Sequence, residues 1–272
     1  MCRAVGGELA SRQKGIQVAM NLRVQRVESS AIADLRERHW AEVNGQVVHA
    51  LIHRRPGWTE DWLLEADGVR CGFACVAVAG PWTGRRTVLE FQVASAWLGH
   101  AFGLFEAFVD AANVCSFEFQ TNFGVEGLVP HVYGTEVVSE KIVFRDGPVN
   151  DAHFPGASLC PLTELDALRA AIAERRGGGE WRLEWSGQVV GRGGLLFHYN
   201  PPFGDVWMEV DPAARRQGLG TWLVWQLRRE CRDLGQIPAA RCDPANVASR
   251  RTLLRAGFLP VGHILIGKLA RR

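Results

Sequence analysis

Apolar and polar positions along the chain follow two periods, and the change from one to the other marks out the elements. From Ser30 to about His53 apolar residues fall at helical spacing, with Ile32, Leu35 and Trp40 set among charges, which predicts a helix. Trp62-Leu63-Leu64 and the run Val69 to Val78 flank Asp67-Gly68, a tight-turn pair that predicts a β-hairpin. Thr87 to Val93 reads as a strand, Trp97 to Ala112 as a helix carrying Leu98, Phe102, Phe105, Phe108 and Val109, and Ser116 to Gln120 as the next strand.

The same order of patterns recurs. Thr163 to Arg176 reads as a helix, with Thr163 as N-cap, Asp166 at the box position and Leu165, Leu168 and Ile172 on one face. Gly177 to Gly179 stops it. A hairpin follows, Glu180 to Trp185 and Gln188 to Tyr199, turning at Ser186-Gly187. Then come a strand Val206 to Val210, a long helix Gly218 to Leu234, a strand Ala239 to Cys242, a helix Ala248 to Ala256 and a strand pair Phe258 to Leu269. Glu65-Ala66-Asp67-Gly68 with Gly72 overlays Glu184-Trp185-Ser186-Gly187 with Gly191, and Val93 and Gly103 overlay Val210 and Gly220. The overlay predicts a duplicated α+β unit. Its boundary falls in the Gly, Pro, Asn and Asp stretch from Gly147 to Gly156. The expected division is 21–148 and 149–272. Met20 opens a cleaner start, so residues 1–20 read as a flexible N-terminal extension.

Composition narrows the function classes. The 272 residues are 47% hydrophobic and 22% charged with a formal charge of +2, so a core can form and no strongly basic face for nucleic acid is expected. No apolar run approaches the roughly 18 residues that span a membrane, and the first twenty residues hold no signal-peptide core. Seven irregularly spaced cysteines fit reduced thiols in a cytoplasmic protein, with no disulfide framework and no metal site. Cys71 and Cys75, four apart in a strand-like run, are expected on the same face of a sheet.

The chemistry concentrates at Val206 to Leu223. An apolar strand runs into Arg215-Arg216-Gln217-Gly218-Leu219-Gly220, and an amphipathic helix starts at once. Such a turn aims free backbone N–H groups and the positive end of the helix dipole at one point, a cradle for an anion. Gly218 and Gly220 allow close backbone approach, and Arg215 and Arg216 add charge for a pyrophosphate. The spacing is neither the dinucleotide G-x-G-x-x-G nor a nucleotide P-loop.

Here the sequence resembles the GNAT acetyltransferase superfamily. Its Arg/Gln-x-x-Gly-x-Gly/Ala turn is matched by Arg215, Gly218 and Gly220. Its second signature, Asn-x-x-Ala/Ser opening the next helix and ending in Gly-Phe, is matched by Asn246, Ser249 and Gly257-Phe258. The resemblance is strong over Glu180 to Leu269 and only topological over Val24 to Arg145. It implies two tandem GNAT-like domains, each a mixed, mainly antiparallel sheet flanked by helices, the first degenerate and the second holding acetyl-CoA as co-substrate. Backbone amides of Arg216, Gln217, Gly218, Leu219 and Gly220, with Thr221 beside them, would hold the pyrophosphate. Met208, Glu209 and Val210 would pair with the pantetheine arm, and Asn246 and Ser249 would line the channel.

The implied reaction is direct attack of a primary amine, on a small molecule or a protein, on the thioester. It needs a base, an N–H near Val210 for the oxyanion, and an acid for the departing thiolate. The family acid is often a Tyr seven residues after the motif Asn; that position here is Leu253. Tyr199 is therefore the candidate acid and Glu209 the candidate base, with His198, Asp205 and Cys242 as further imidazole, carboxylate and thiol candidates. Without an acid, the alternative is an inactive CoA-binding regulator or scaffold. In the first half, Leu98-Gly99-His100-Ala101 replaces the charged turn and Phe102 is expected to crowd it, so this half is not expected to bind CoA. A monomer or homodimer is expected, with acetyl-CoA and the amine acceptor as partners.

Overall fold

The computed structural model describes residues 20–43, 45–148 and 153–270. Most of the expected N-terminal extension, and the expected boundary at 148/149, lie outside them. In the first half β1 (Leu22–Val27) leads through a 3₁₀ turn to α1 (Ala33–Val43). Then come β2 (Thr59–Ala66), β3 (Val69–Ala77), β4 (Thr87–Val93), α2 (Ala101–Ala112), β5 (Ser116–Gln120), α3 (Val129–Tyr133) and β6 (Gly134–Arg145). The second half repeats the order as β7 (Ala157–Pro161), α4 (Leu165–Glu174), β8 (Gly178–Trp185), β9 (Gln188–Leu196), β10 (Phe203–Val210), α5 (Leu219–Asp233), β11 (Ile237–Cys242), α6 (Val247–Arg255) and β12 (Leu259–Leu269).

All the strands join one twelve-stranded sheet in the order β1-β2-β3-β4-β5-β12-β6-β11-β10-β9-β8-β7. The order is the same read from either edge if the halves are interchanged. Each half gives its last strand to the other. β12 pairs with β5, β6 pairs with β11, and the two exchanged strands run antiparallel at the centre. Among the described residues only the β4–β5 and β10–β11 pairs are parallel. Residues 259–269 therefore form one long strand bonded on both sides, where the pattern predicted a strand pair.

One face of the sheet is packed by α2 and α3 over the first half, through Leu104, Phe105, Phe108 and Val129. Over the second half α5 packs Leu219, Leu223, Val224 and Leu227 against Val206, Val210 and Leu195. On the opposite face α1 covers Leu63 and Phe73. The expected helix to His53 ends at Val43, and a turn-rich strap from residue 45 runs across the junction of the halves. Its polar backbone is matched by buried amide side chains. Asn200 Oδ1 accepts from Val47 N at 2.7 Å, Gln46 Nε2 donates to Phe144 O at 2.6 Å, and Gln120 Nε2 donates to Gln46 O at 3.0 Å. These bonds satisfy groups that would otherwise cost about 1–3 kcal/mol each when buried.

Arg228 of α5, fully buried, ties the end of β6 to the second half. It donates to Asp146 Oδ1 at 2.7 Å, to Gly147 O at 2.9 Å and to Ala256 O. Two local expectations change. Cys71 is the extra residue of a β-bulge, since Leu64 pairs with Gly72 and Glu65 with Arg70. It therefore packs with the α2 cluster while Cys75 packs on the opposite face. Thr163 does not cap α4; its hydroxyl accepts from Glu180 N at 3.0 Å and ties the helix approach to β8. No helix among the described residues is long and apolar enough to cross a membrane.

Candidate functional site

β10 and β11 run side by side for three rungs, Phe203↔Ile237, Gly204↔Pro238 and Asp205↔Ala239, and then part. The gap is a cleft of about 580 Å³. Val206, Trp207 and Met208 line it from β10, Cys242 and Asp243 from the end of β11, and Asn246, Ser249 and Leu253 from α6. Glu140 and Lys141 of the exchanged strand β6 close it from the side.

Beyond Val210 the chain makes the turn that the motif occupies. Arg215 Nε donates to Val210 O at 2.8 Å, so this side chain clamps the turn to its strand. Arg216 and Gly218 both take positive φ, +63° and +94°. A Cβ on Gly218 would meet the Phe154 ring at 3.3 Å. No side chain caps α5, and first-turn amides of a helix have no carbonyl partner within it. Arg215, Arg216, Gln217 and Gly218 are exposed there, Thr221 is half-buried and Leu219 turns into the core. Asn246 caps α6, its Oδ1 accepting from Ser249 N at 2.9 Å, while still lining the cleft. Of the predicted site residues, Met208, Asn246 and Ser249 line the cleft; those of the Arg215–Thr221 turn do not, and of that turn Gly220 lies near the lining Met208.

The candidate acid and base are placed differently. Val206, Met208 and Val210 face α5, so Asp205, Trp207 and Glu209 face the other way. Glu209 has 59% of its side chain exposed, bonds Arg192 of the neighbouring strand at 3.3 Å and does not line the cleft. Tyr199 is fully buried among Val48, Phe203, Ala239 and Ile264. Burial pushes its hydroxyl well above the ordinary tyrosine range. Its ring meets His198 edge-on at 4.4 Å between centroids, and Asp205 and Arg241 act on its hydroxyl. At the position of the family acid, Leu253 is 4% exposed and packs in the α5 core.

Asp205 stands where the strands part and lines the cleft. Its Oδ2 lies 3.4 Å from His198 Nε2 and 3.7 Å from Arg241 Nε. Burial pushes this carboxyl up to about 6, against the pull of the Arg241 guanidinium. Burial pulls His198 down to about 4, so it is neutral near pH 7. The sequence offered Asp205 as one candidate among several; its burial at the fork comes only from the packing of β10 against β11.

The first half has the corresponding fork between β4 and β5, which pair only at Thr87↔Ser116 and Val88↔Phe117. There the gap is filled from within. Glu126, 2% exposed, accepts from Phe91 N at 2.8 Å with its Oε1. The turn before α2 is a 3₁₀ segment, Ser95–His100, with no positive φ. Phe102 does not crowd that turn: it is 45% exposed and lies beside the Tyr133 ring. The blocking residue is Glu126.

Residues 150–258 match the Acetyltransferase (GNAT) family model. The likeness to that family thus lies in the second half of the chain. The whole chain shares the fold of solved GNAT structures. A GNAT-family acetyltransferase from Colwellia psychrerythraea is 14% identical, with 91% of this chain and 100% of that chain covered and a TM-score of 0.64. A tandem GNAT protein from the clavulanic acid biosynthesis pathway is 13% identical, with 93% and 100% covered and a TM-score of 0.58. A GCN5-related N-acetyltransferase from Sphaerobacter thermophilus is 15% identical, with 93% and 96% covered and a TM-score of 0.54. Among curated proteins none matches the sequence.

Proposed function

We propose that the protein transfers an acetyl group from acetyl-CoA to a primary amine, with Asp205 as the base that frees the amine for attack. The observation that supports this reading is the fork itself, where the buried Asp205 carboxylate lines an open cleft on the strand that leads to the uncapped start of α5. The amides of Arg216–Gly220 suit a pyrophosphate, and the unpaired edge of β10 at Val206–Met208 suits an amide-bearing arm. Glu209, exposed and paired with Arg192, is set aside as base. Tyr199, buried with a raised pKa, is set aside as direct acid, leaving cleft water to return a proton to the thiolate.

Residues 149–272 carry this site, and residues 21–148 are a degenerate copy closed by Glu126, so one acetyl-CoA per chain follows. The first half walls the acceptor side. A cytoplasmic setting fits described cysteines that are all free thiols. The alternative, an inactive CoA-binding scaffold, draws on the buried Leu253 alone.

Thiol release from acetyl-CoA across a panel of primary amines tests the reading, with calorimetry for stoichiometry. An active protein with one site is expected, and Asp205→Asn should lower turnover by about 10² to 10⁴ while acetyl-CoA still binds. Binding without thiol release on every amine would leave the scaffold reading standing, and two equivalent sites would refute the closed first half.

A further inference from the structure

Each strand at the fork brings one nitrogen to the same oxygen. His198 Nε2, from the connection before β10, and Arg241 Nε, from β11, both approach Oδ2 of Asp205, at 3.4 and 3.7 Å. His198 Nε2 is sealed from solvent and has no hydrogen-bond partner, although the His198 side chain is 36% exposed, and the Tyr199 hydroxyl also bears on Asp205. Neither Asp205 oxygen is among the sealed, unpartnered atoms of the described residues. We infer that His198 and Arg241 are positioning residues for the base: standing against Oδ2, they set how the Asp205 carboxylate is oriented and ionised at the cleft. This rests on the reading of Asp205 as base.

The surroundings fit a tuned pair. Arg241 has acidic neighbours on three elements, Asp205, Glu140 of β6 and Glu118 of β5, with the Tyr199 hydroxyl beside it. His198 faces Asp205, Arg241, Arg175 and two residues of the strap, His49 and Arg55. His49 is itself bonded to Glu118 at 2.7 Å. A buried carboxyl without a cation beside it would stay protonated near neutrality and could not accept a proton. One opposite charge within roughly 4–6 Å moves a carboxylate down by about 1–3 pH units. Arg241 supplies that charge, and the His198 ring borders the same oxygen. In the step the Asp205 carboxylate gains the proton that the amine loses, the departing thiolate takes a proton from cleft water, and Asp205 returns its proton to that water after product leaves.

The test needs no acceptor. Carboxyl-labelled aspartate is followed by carbon NMR against pH in the full chain, and the Asp205 signal is assigned by its loss in Asp205→Asn. The parental midpoint is expected near 6. Arg241→Gln should raise it by at least about one unit, a tenfold change in the ratio of ionised to protonated carboxyl at a given pH. Arg241→Lys keeps the charge, should hold the midpoint near the parental value, and covers the case in which the Gln variant does not fold. His198→Ala should raise the midpoint, and His198→Gln, which keeps an N–H donor, should restore much of the shift. Midpoints unmoved in folded Arg241→Gln and His198→Ala would overturn the inference. The base reading fails separately, if Asp205→Asn turns over an amine at the parental rate while these midpoints still move.

Discussion

Two glycine-to-alanine changes, two residues apart, should move stability in opposite directions. Gly218 holds φ at +94°, and an added Cβ would sit 3.3 Å from Phe154 Cε2. An L-residue in that region costs roughly 1–2 kcal/mol, partly offset by about 0.5 kcal/mol from a stiffer unfolded chain. Gly218→Ala should therefore lose about 1 kcal/mol. Gly220 lies inside α5 without positive φ, and its nearest neighbours, Thr252, Val210 and Met208, stand 3.7 Å or more from where an added methyl would sit. Replacing this first-turn helical glycine should gain up to about 1 kcal/mol, the full interior value being the upper bound. For a chain of this size each kcal/mol shifts Tm by about 2–4 °C, so thermal melts should separate the two variants by about 4–8 °C. Acetyl-CoA at a hundredfold excess over Kd adds about 2.7 kcal/mol to a protein that binds it. That ligand-induced rise should persist in Gly220→Ala, shrink in Gly218→Ala and vanish in Gly218→Glu. Equal melting of the two alanine variants would refute the backbone argument, and an undiminished rise in Gly218→Glu would place the anion cradle elsewhere.

Arg228→Met removes the donor shared by Asp146, Gly147 and Ala256 from a fully buried position. Arg232 still holds Asp146 at 2.6 Å, so a loss near the low end for broken buried pairs, about 3 kcal/mol, is expected, read as a Tm lowered by about 6–12 °C. On the proposed mechanism the base works only when ionised. With Asp205 pushed up to about 6, kcat/KM should be flat above that pH and fall about tenfold per unit below it; an acid limb near pH 4 in pre-steady-state thiol release would argue against Asp205.

Short-range backbone chemistry was legible in the sequence. The hairpin turns at Asp67-Gly68 and Ser186-Gly187 take the positive φ values those pairs favour. Asn246 caps the helix it was expected to open, and the glycine turn before α5 follows its strand as the motif spacing implied. Each of these depends on residues within one or two turns of the chain. Other features depended on partners far away. β6 carries a mixed pattern, buried at Val143 and Phe144 and elsewhere half-exposed or open to solvent. It is a central strand only because β12 and β11 from the other half close on both its edges. A single bulged residue sent Cys71 and Cys75 to opposite faces, a matter of cross-strand register that spacing along one strand does not carry. The proposed base is the clearest case. Glu209 and Asp205 share one strand face and one chemistry, and sequence does not rank them. The tertiary structure leaves Glu209 in solvent beside Arg192 and buries Asp205 at the fork beside His198 and Arg241. Desolvation by distant parts of the chain, rather than residue type, is what sets a carboxylate's proton affinity.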